Sequence, residues 1–167
     1  MLPDLAIFIV VAICLYTDVR YRKIYNVVLF PAFLLAILYG ITHSGVAGLL
    51  FCIKGATLGL ALLLIPFLLG GMGAGDVKLL AVIGAWQGPE FIWFCFLCTA
   101  LAGGIFGVIQ LLRKGTLALT LKTILFALIP GPPKVNTFGT LATAKAGDAF
   151  PYGIAIATGT FATYILR

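Results

Sequence analysis

The sequence predicts an all-α polytopic membrane protein, with about six transmembrane helices and one helix lying in the cytoplasmic interface. Two observations carry this. Hydrophobic residues make up 62% of the 167 and charged residues 10%, where a soluble domain is about half apolar and a quarter charged; mean hydropathy is +1.18. The apolar residues also come in runs close to the ~20 that a helix needs to cross a bilayer. Lipid offers the backbone no partner, so such runs are expected to be helical. No polar linker is long enough to separate two cores, so residues 1–167 are expected to form a single membrane-embedded domain.

The first helix is expected over residues 3–17 and their flanks. It reads as a retained span and not a cleaved signal, because Asp4 stands where a basic region would be and Arg20, Arg22 and Lys23 follow the apolar run. The second covers 26–42, with Pro31 in its first two turns, where proline is tolerated. The third covers 46–69. A short fourth, 77–87, is closed by Gln87-Gly88-Pro89-Glu90, and the fifth covers 91–112. Over 115–129, Thr116, Thr120 and Thr123 form a polar stripe opposite Leu117, Leu121, Ile124 and Leu128, which suits an interfacial helix. Pro130-Gly131-Pro132-Pro133 stops it, 134–147 is a loop, and 149–166 is the last span. Gly55/Gly59 and Gly103/Gly107 have the G-x-x-x-G spacing of close helix packing.

The net charge of +6 is a topology signal and not a sign of nucleic acid, because the basic residues cluster in short loops. Arg20, Arg22, Lys23, Lys78, Arg113, Lys114, Lys122, Lys134 and Lys145 fall on one side, while Arg167, with Lys54 near it, falls on the other. Positive charge collects in the cytoplasm, so both termini are expected outside and the loops with Asp18 and Asp76 inside.

A carboxylate at membrane depth is expensive and usually functional. The chain has five: Asp4, Asp18, Asp76, Glu90 and Asp148. Asp18 and Asp76 lie where apolar helices meet basic loops, on one face. Elimination narrows the chemistry. His43 and Ser44 are the only histidine and serine, neighbours in an expected outer loop that cannot easily form a dyad. There is no H-E-x-x-H zinc motif. Cys14, Cys52, Cys95 and Cys98 lie in apolar helices without a base and read as packing residues, so no metal or other cofactor is expected. The paired aspartates remain, as a coupled acid–base pair. The bland alternatives are an N-cap for Asp76 and an interfacial ion pair with Arg20 or Arg22 for Asp18. Helix ends point to Asp76, before a helix, as the ionised base and Asp18, after one, as the acid. The short 77–87 helix would sink Asp76 below the membrane surface, and Gly70, Gly71, Gly73 and Gly75 would let backbone approach a substrate closely.

Gly73-Ala74-Gly75-Asp76-Val77-Lys78 resembles the G-x-G-D-x-K motif of type IV prepilin peptidases, the GxGD membrane aspartyl proteases. Asp18-Val19-Arg20 followed by Ile24-Tyr25-Asn26 resembles that family's D-x-R…I-P-N motif, with Tyr25 in place of proline. Pro151-Tyr152-Gly153 resembles its last-helix P-[FY]-G motif. The resemblance implies catalytic Asp18 and Asp76, with Arg20, Asn26, Gly73, Gly75, Lys78, Pro151, Tyr152 and Gly153 around them. It also implies an aspartic-type endopeptidase of a prokaryotic inner membrane that removes the basic leader of prepilins or pseudopilins at the cytoplasmic face, after glycine. The chain is similar to the short forms of tight-adherence (Flp) pili, which lack the methyltransferase region. The alternatives are an archaeal preflagellin peptidase, a small transporter whose carboxylates hold a cation, and an inactive scaffold of a secretion assembly.

Overall fold

A computed structural model of the protein describes residues 2–68, 72–114 and 152–166. Among these the chain is all helix: α1 (Leu2–Tyr21), α2 (Asn26–Leu68), α3 (Ala74–Lys114) and α4 (Tyr152–Leu166). The first three are long and apolar enough to cross a membrane. The interfacial helix expected over 115–129, the 134–147 loop, Gly70, Gly71 and Pro151 lie outside the described residues.

Two of these helices are helical hairpins closed by one glycine each. In α2 the break is Gly45, at φ 58° and ψ −133°. This backbone region is open to glycine and strained for other residues. The arms fold back on each other: Gly40 and Gly48 pack backbone to backbone, and the Cys52 thiol donates to the Ala36 carbonyl at 3.4 Å. In α3 the break is Gly88, at φ 84°. Pro89 follows as the first residue of the next arm, where its missing N–H costs nothing. The sequence places loops here, and the structure reduces each to a single residue. His43 and Ser44 are therefore helical, not part of an outer loop.

Lipid tails are as apolar as leucine, so helices in a bilayer associate through close packing of small residues. The contacts follow that rule. Gly55 meets the Gly84 carbonyl, and a Cβ on Gly59 would lie 2.7 Å from the Leu80 carbonyl oxygen. These contacts zip the 46–68 arm of α2 to the 74–87 arm of α3. Past Gly88, the 89–114 arm runs against α4: the Cys95 thiol lies 3.4 Å from the Thr160 hydroxyl, and Gly159 packs on Thr99. Of the expected G-x-x-x-G pairs, Gly55/Gly59 and Gly103 pack closely, whereas Gly107 faces open space. Cys95 packs as expected, and all four cysteines are free thiols.

The core gathers Ile7, Leu80, Ile83, Ile92 and Ile156. Large apolar side chains such as Val27, Ile65, Leu101 and Ile165 cover the outside. The bundle has two unlike ends. At one, the Gln87 amide donates to Asp4 Oδ1 at 2.8 Å and to the Tyr164 hydroxyl, which itself donates to Asp4 at 3.1 Å. This clamp joins α1, the Gly88 reversal and α4. The other end carries Asp18 and Asp76.

Candidate active site

Asp18 belongs to the last turn of α1, not to the loop after it. The Arg22 N–H closes that turn on the Asp18 carbonyl at 2.8 Å, and Arg22 itself is left-handed at φ 52°. This is the usual helix stop, with arginine where glycine is common. The extra turn keeps the Asp18 side chain on the buried face of α1, below Ile7, Val11 and Cys14. Asp18 is 6% exposed. Its Oδ2 accepts a hydrogen bond from the Gly153 N–H at 2.8 Å.

That bond explains a motif residue. A Cβ on Gly153 would lie 2.6 Å from Asp18 Oδ2, so only glycine lets the carboxylate reach the amide. Gly153 is in the first turn of α4, whose leading N–H groups have no partner within the helix. Asp18 supplies one.

Asp76 is not the N-cap residue. Gly73 takes that place and Asp76 stands three residues on. Its Oδ2 accepts from the Gly73 N–H at 3.1 Å, while its own N–H donates to the Gly73 carbonyl at 3.2 Å. This is the side-chain half of a capping box. It occupies one carboxylate oxygen only. Oδ1 is buried without a hydrogen-bond partner among the described residues, and Asp76 is 7% exposed. Such an orphan is rare enough to need a reason.

Both carboxylates therefore face the positive end of a helix: Asp76 that of α3, Asp18 that of α4. Of the helix ends, the sequence reading weighed only each residue's own; α4 adds a second, positive end beside Asp18. The two side chains converge. Asp18 is near enough to Asp76 to bear on its charge, and both are near Cys14.

Two contacts hold the motif loops together. A Cβ on Gly75 would lie 2.8 Å from Ile24 Cβ, so Gly75 leaves the room that Ile24 fills. Lys78 Nζ donates to Asn26 Oδ1 at 3.1 Å. Tyr25 caps α2 through its carbonyl, which accepts from Val28 N–H at 3.1 Å, and its ring meets Tyr21 edge-on at 6.4 Å. Tyrosine thus precedes α2 where the motif it resembles has proline. Tyr152 is half-buried and turns its hydroxyl to Gly103.

The structure thus brings Asp18, Asp76, Gly73, Gly75, Asn26, Lys78, Tyr152 and Gly153 to one end. Arg20 is exposed, with its guanidinium carbon 6.0 Å from the centre of the Tyr21 ring. Two neighbours escaped the sequence reading. Ile24 was seen only as a motif letter, and Cys14, one turn before Asp18 and 1% exposed, only as packing. The i, i+4 spacing of Cys14 and Asp18 was the signal available.

The model of the type IV leader peptidase family matches residues 5–108, more than half of the chain. A prepilin leader peptidase/N-methyltransferase of Pseudomonas aeruginosa is 51% identical over 41 residues, 25% of this chain and 14% of that protein. One of Xanthomonas campestris pv. campestris is 49% identical over 45 residues, 27% of this chain and 16% of that protein. The chain thus matches less than a fifth of the length of these curated relatives. No solved structure matches it. The family match covers Asp18, Asp76 and the hairpins between them, and the chain belongs to the type IV leader peptidase family.

Proposed function

We propose that the protein is an aspartic endopeptidase that removes the leader of type IV prepilins or pseudopilins. The observation that carries this is the pair of buried carboxylates, each fixed through one oxygen by a backbone amide at the same end of the bundle. One aspartate, ionised, takes a proton from a water molecule, whose oxygen bonds to the scissile carbonyl carbon. The other, protonated, donates to the carbonyl oxygen. Collapse of the tetrahedral species breaks the C–N bond, and the proton taken from water goes to the departing amine. Asp76 Oδ1 is the acceptor that remains open for the water. A backbone amide on the second oxygen of each carboxylate fixes its orientation without using the reacting edge, which is how positioning lowers a barrier.

The six segments, α1, the two arms of α2, the two arms of α3 and α4, each cross the bilayer once in this reading. Arg20, Arg22, Lys23 and Lys78 gather at the carboxylate end, and this charge supports a cytoplasmic active site with both termini outside. A transporter site is expected near the midplane, whereas Asp18 is in the last turn of α1 and Asp76 in the first turn of α3. The substrate is then a peptide with a basic leader and an apolar helix that stays in the bilayer. Cleavage follows glycine, because a side chain there would hold the carbonyl off the pair.

The test is incubation of the detergent-purified protein with a prepilin, read by mass spectrometry. A single cut between leader and apolar helix, lost when the glycine before the cut is replaced by valine, is the expected result. An intact prepilin, or a valine precursor cut as fast as the natural one, refutes the reading.

A further inference from the structure

One cavity lies away from the carboxylates. It is a groove of about 790 Å³ at the opposite end, lying against both glycine reversals and the end of α4. Its walls are mostly apolar, from Leu50, Phe51, Phe94 and Leu166. Two charges of opposite sign line it, Lys54 and Glu90. Both are exposed, and neither side chain makes a hydrogen bond or ion pair with another described residue. Leu50, Phe51 and Phe94 are 50%, 46% and 60% exposed, so the groove opens on the outer surface of the bundle, where lipid lies. An unpaired charge against hydrocarbon is expensive. Two of opposite sign on one groove are met together by a ligand that carries both.

We propose that this groove binds one zwitterionic phospholipid with a primary ammonium, Glu90 meeting the ammonium and Lys54 the phosphate. Both charges lie near the Gly88 reversal: Phe51 touches Gly88, Glu90 is two residues past it, and Lys54 is beside Gly55, which packs on Gly84 and Gly88. A phospholipid headgroup carries its ammonium and its phosphate at one end in the same way, and Leu50 and Phe94 would flank the chains. An anionic lipid without the ammonium would satisfy Lys54 and be repelled by Glu90. A second copy of this chain fits less well, because a twofold contact sets the same patch against itself, and two concave grooves leave a void. The occupant is independent of the peptidase reading, since the groove and the carboxylates are at opposite ends.

Native mass spectrometry of the purified full chain tests this. The probes are dioleoyl phosphatidylethanolamine and dioleoyl phosphatidylglycerol at equal concentration. The wild type is expected to retain the first at least about fivefold better, as charge-assisted hydrogen bonds from both groups require. Lys54→Gln should weaken both lipids. Glu90→Gln should bring their ratio to about one, and Lys54→Arg should keep the wild-type preference. Equal retention by the wild type means non-selective annular lipid and overturns the proposal without any variant. A preference that survives both Lys54→Gln and Glu90→Gln overturns it too. So does a two-chain species that falls apart on Lys54→Gln, which would make the groove a contact between copies.

Discussion

Replacing Gly153 by alanine should abolish leader cleavage while leaving the bundle folded. The added Cβ would lie 2.6 Å from Asp18 Oδ2 and 3.1 Å from its carboxyl carbon. Ordinary contact needs about 3.4 Å or more, so the carboxylate must retreat by about 0.8 Å, and a displacement of that order costs roughly 100-fold in rate. The retreat also stretches the 2.8 Å bond from the Gly153 N–H, and a lost hydrogen bond to a charged group costs about 1.5–3 kcal/mol. Overpacking in a buried site adds about 1–3 kcal/mol of destabilisation, so the melting temperature is measured alongside. The assay is the cleavage rate of a prepilin by purified variants, normalised to folded protein. Gly104→Ala is the control, because a Cβ there meets nothing within 4 Å. A Gly153→Ala enzyme within a few-fold of wild type would refute the claim that this amide positions Asp18.

Three further outcomes are expected. Gly75→Ala should lower activity by driving its Cβ into Ile24, 2.8 Å away, and Ile24→Ala in the same chain should restore part of it; no recovery in the double variant would separate the two loops. Gly55→Ala should lower the melting temperature in detergent, at a cost of about 1–3 kcal/mol, because the new Cβ meets the Gly84 carbonyl, whereas Gly107→Ala should change it little; equal effects would contradict the zipped-arm packing. In a background without the native cysteines, a membrane-impermeant thiol reagent applied to intact cells should label His43→Cys and not Lys23→Cys, and the reverse pattern would invert the topology.

The sequence made the candidate pair legible because carboxylates are scarce in an apolar chain. Asp18 and Asp76 stood out by cost alone, before any motif was compared. The helical class and both breaks were equally plain, one between the apolar runs 26–42 and 46–69 and the other at Gln87-Gly88-Pro89-Glu90. What remained hidden depends on contacts between distant segments. A glycine shows that backbone comes close, but not to what: Gly153 to a carboxylate, Gly75 to Ile24, Gly55 to Gly84. Asp76 looked like an N-cap because aspartate before an apolar run usually is one. Gly73 takes the cap instead and leaves Asp76 one oxygen free. The end of α1 was placed short of Asp18 because charge was taken as the end of a span. Burial of Asp18 under α4 lets the helix run on to Tyr21. The clamp of Asp4, Gln87 and Tyr164 had no signal at all, because its members are far apart in the chain and unremarkable singly.

The central claim is that Asp18 and Asp76 together form the catalytic pair. Asp18→Asn and Asp76→Asn each keep the shape and the acceptor of the backbone amide while removing the ionisable oxygen. Prepilin cleavage by each variant, measured at equal membrane-inserted protein, tests the claim directly. The account predicts no detectable leader removal by either variant, with both inserted and folded as the wild type is. Near-normal turnover by either one would contradict it.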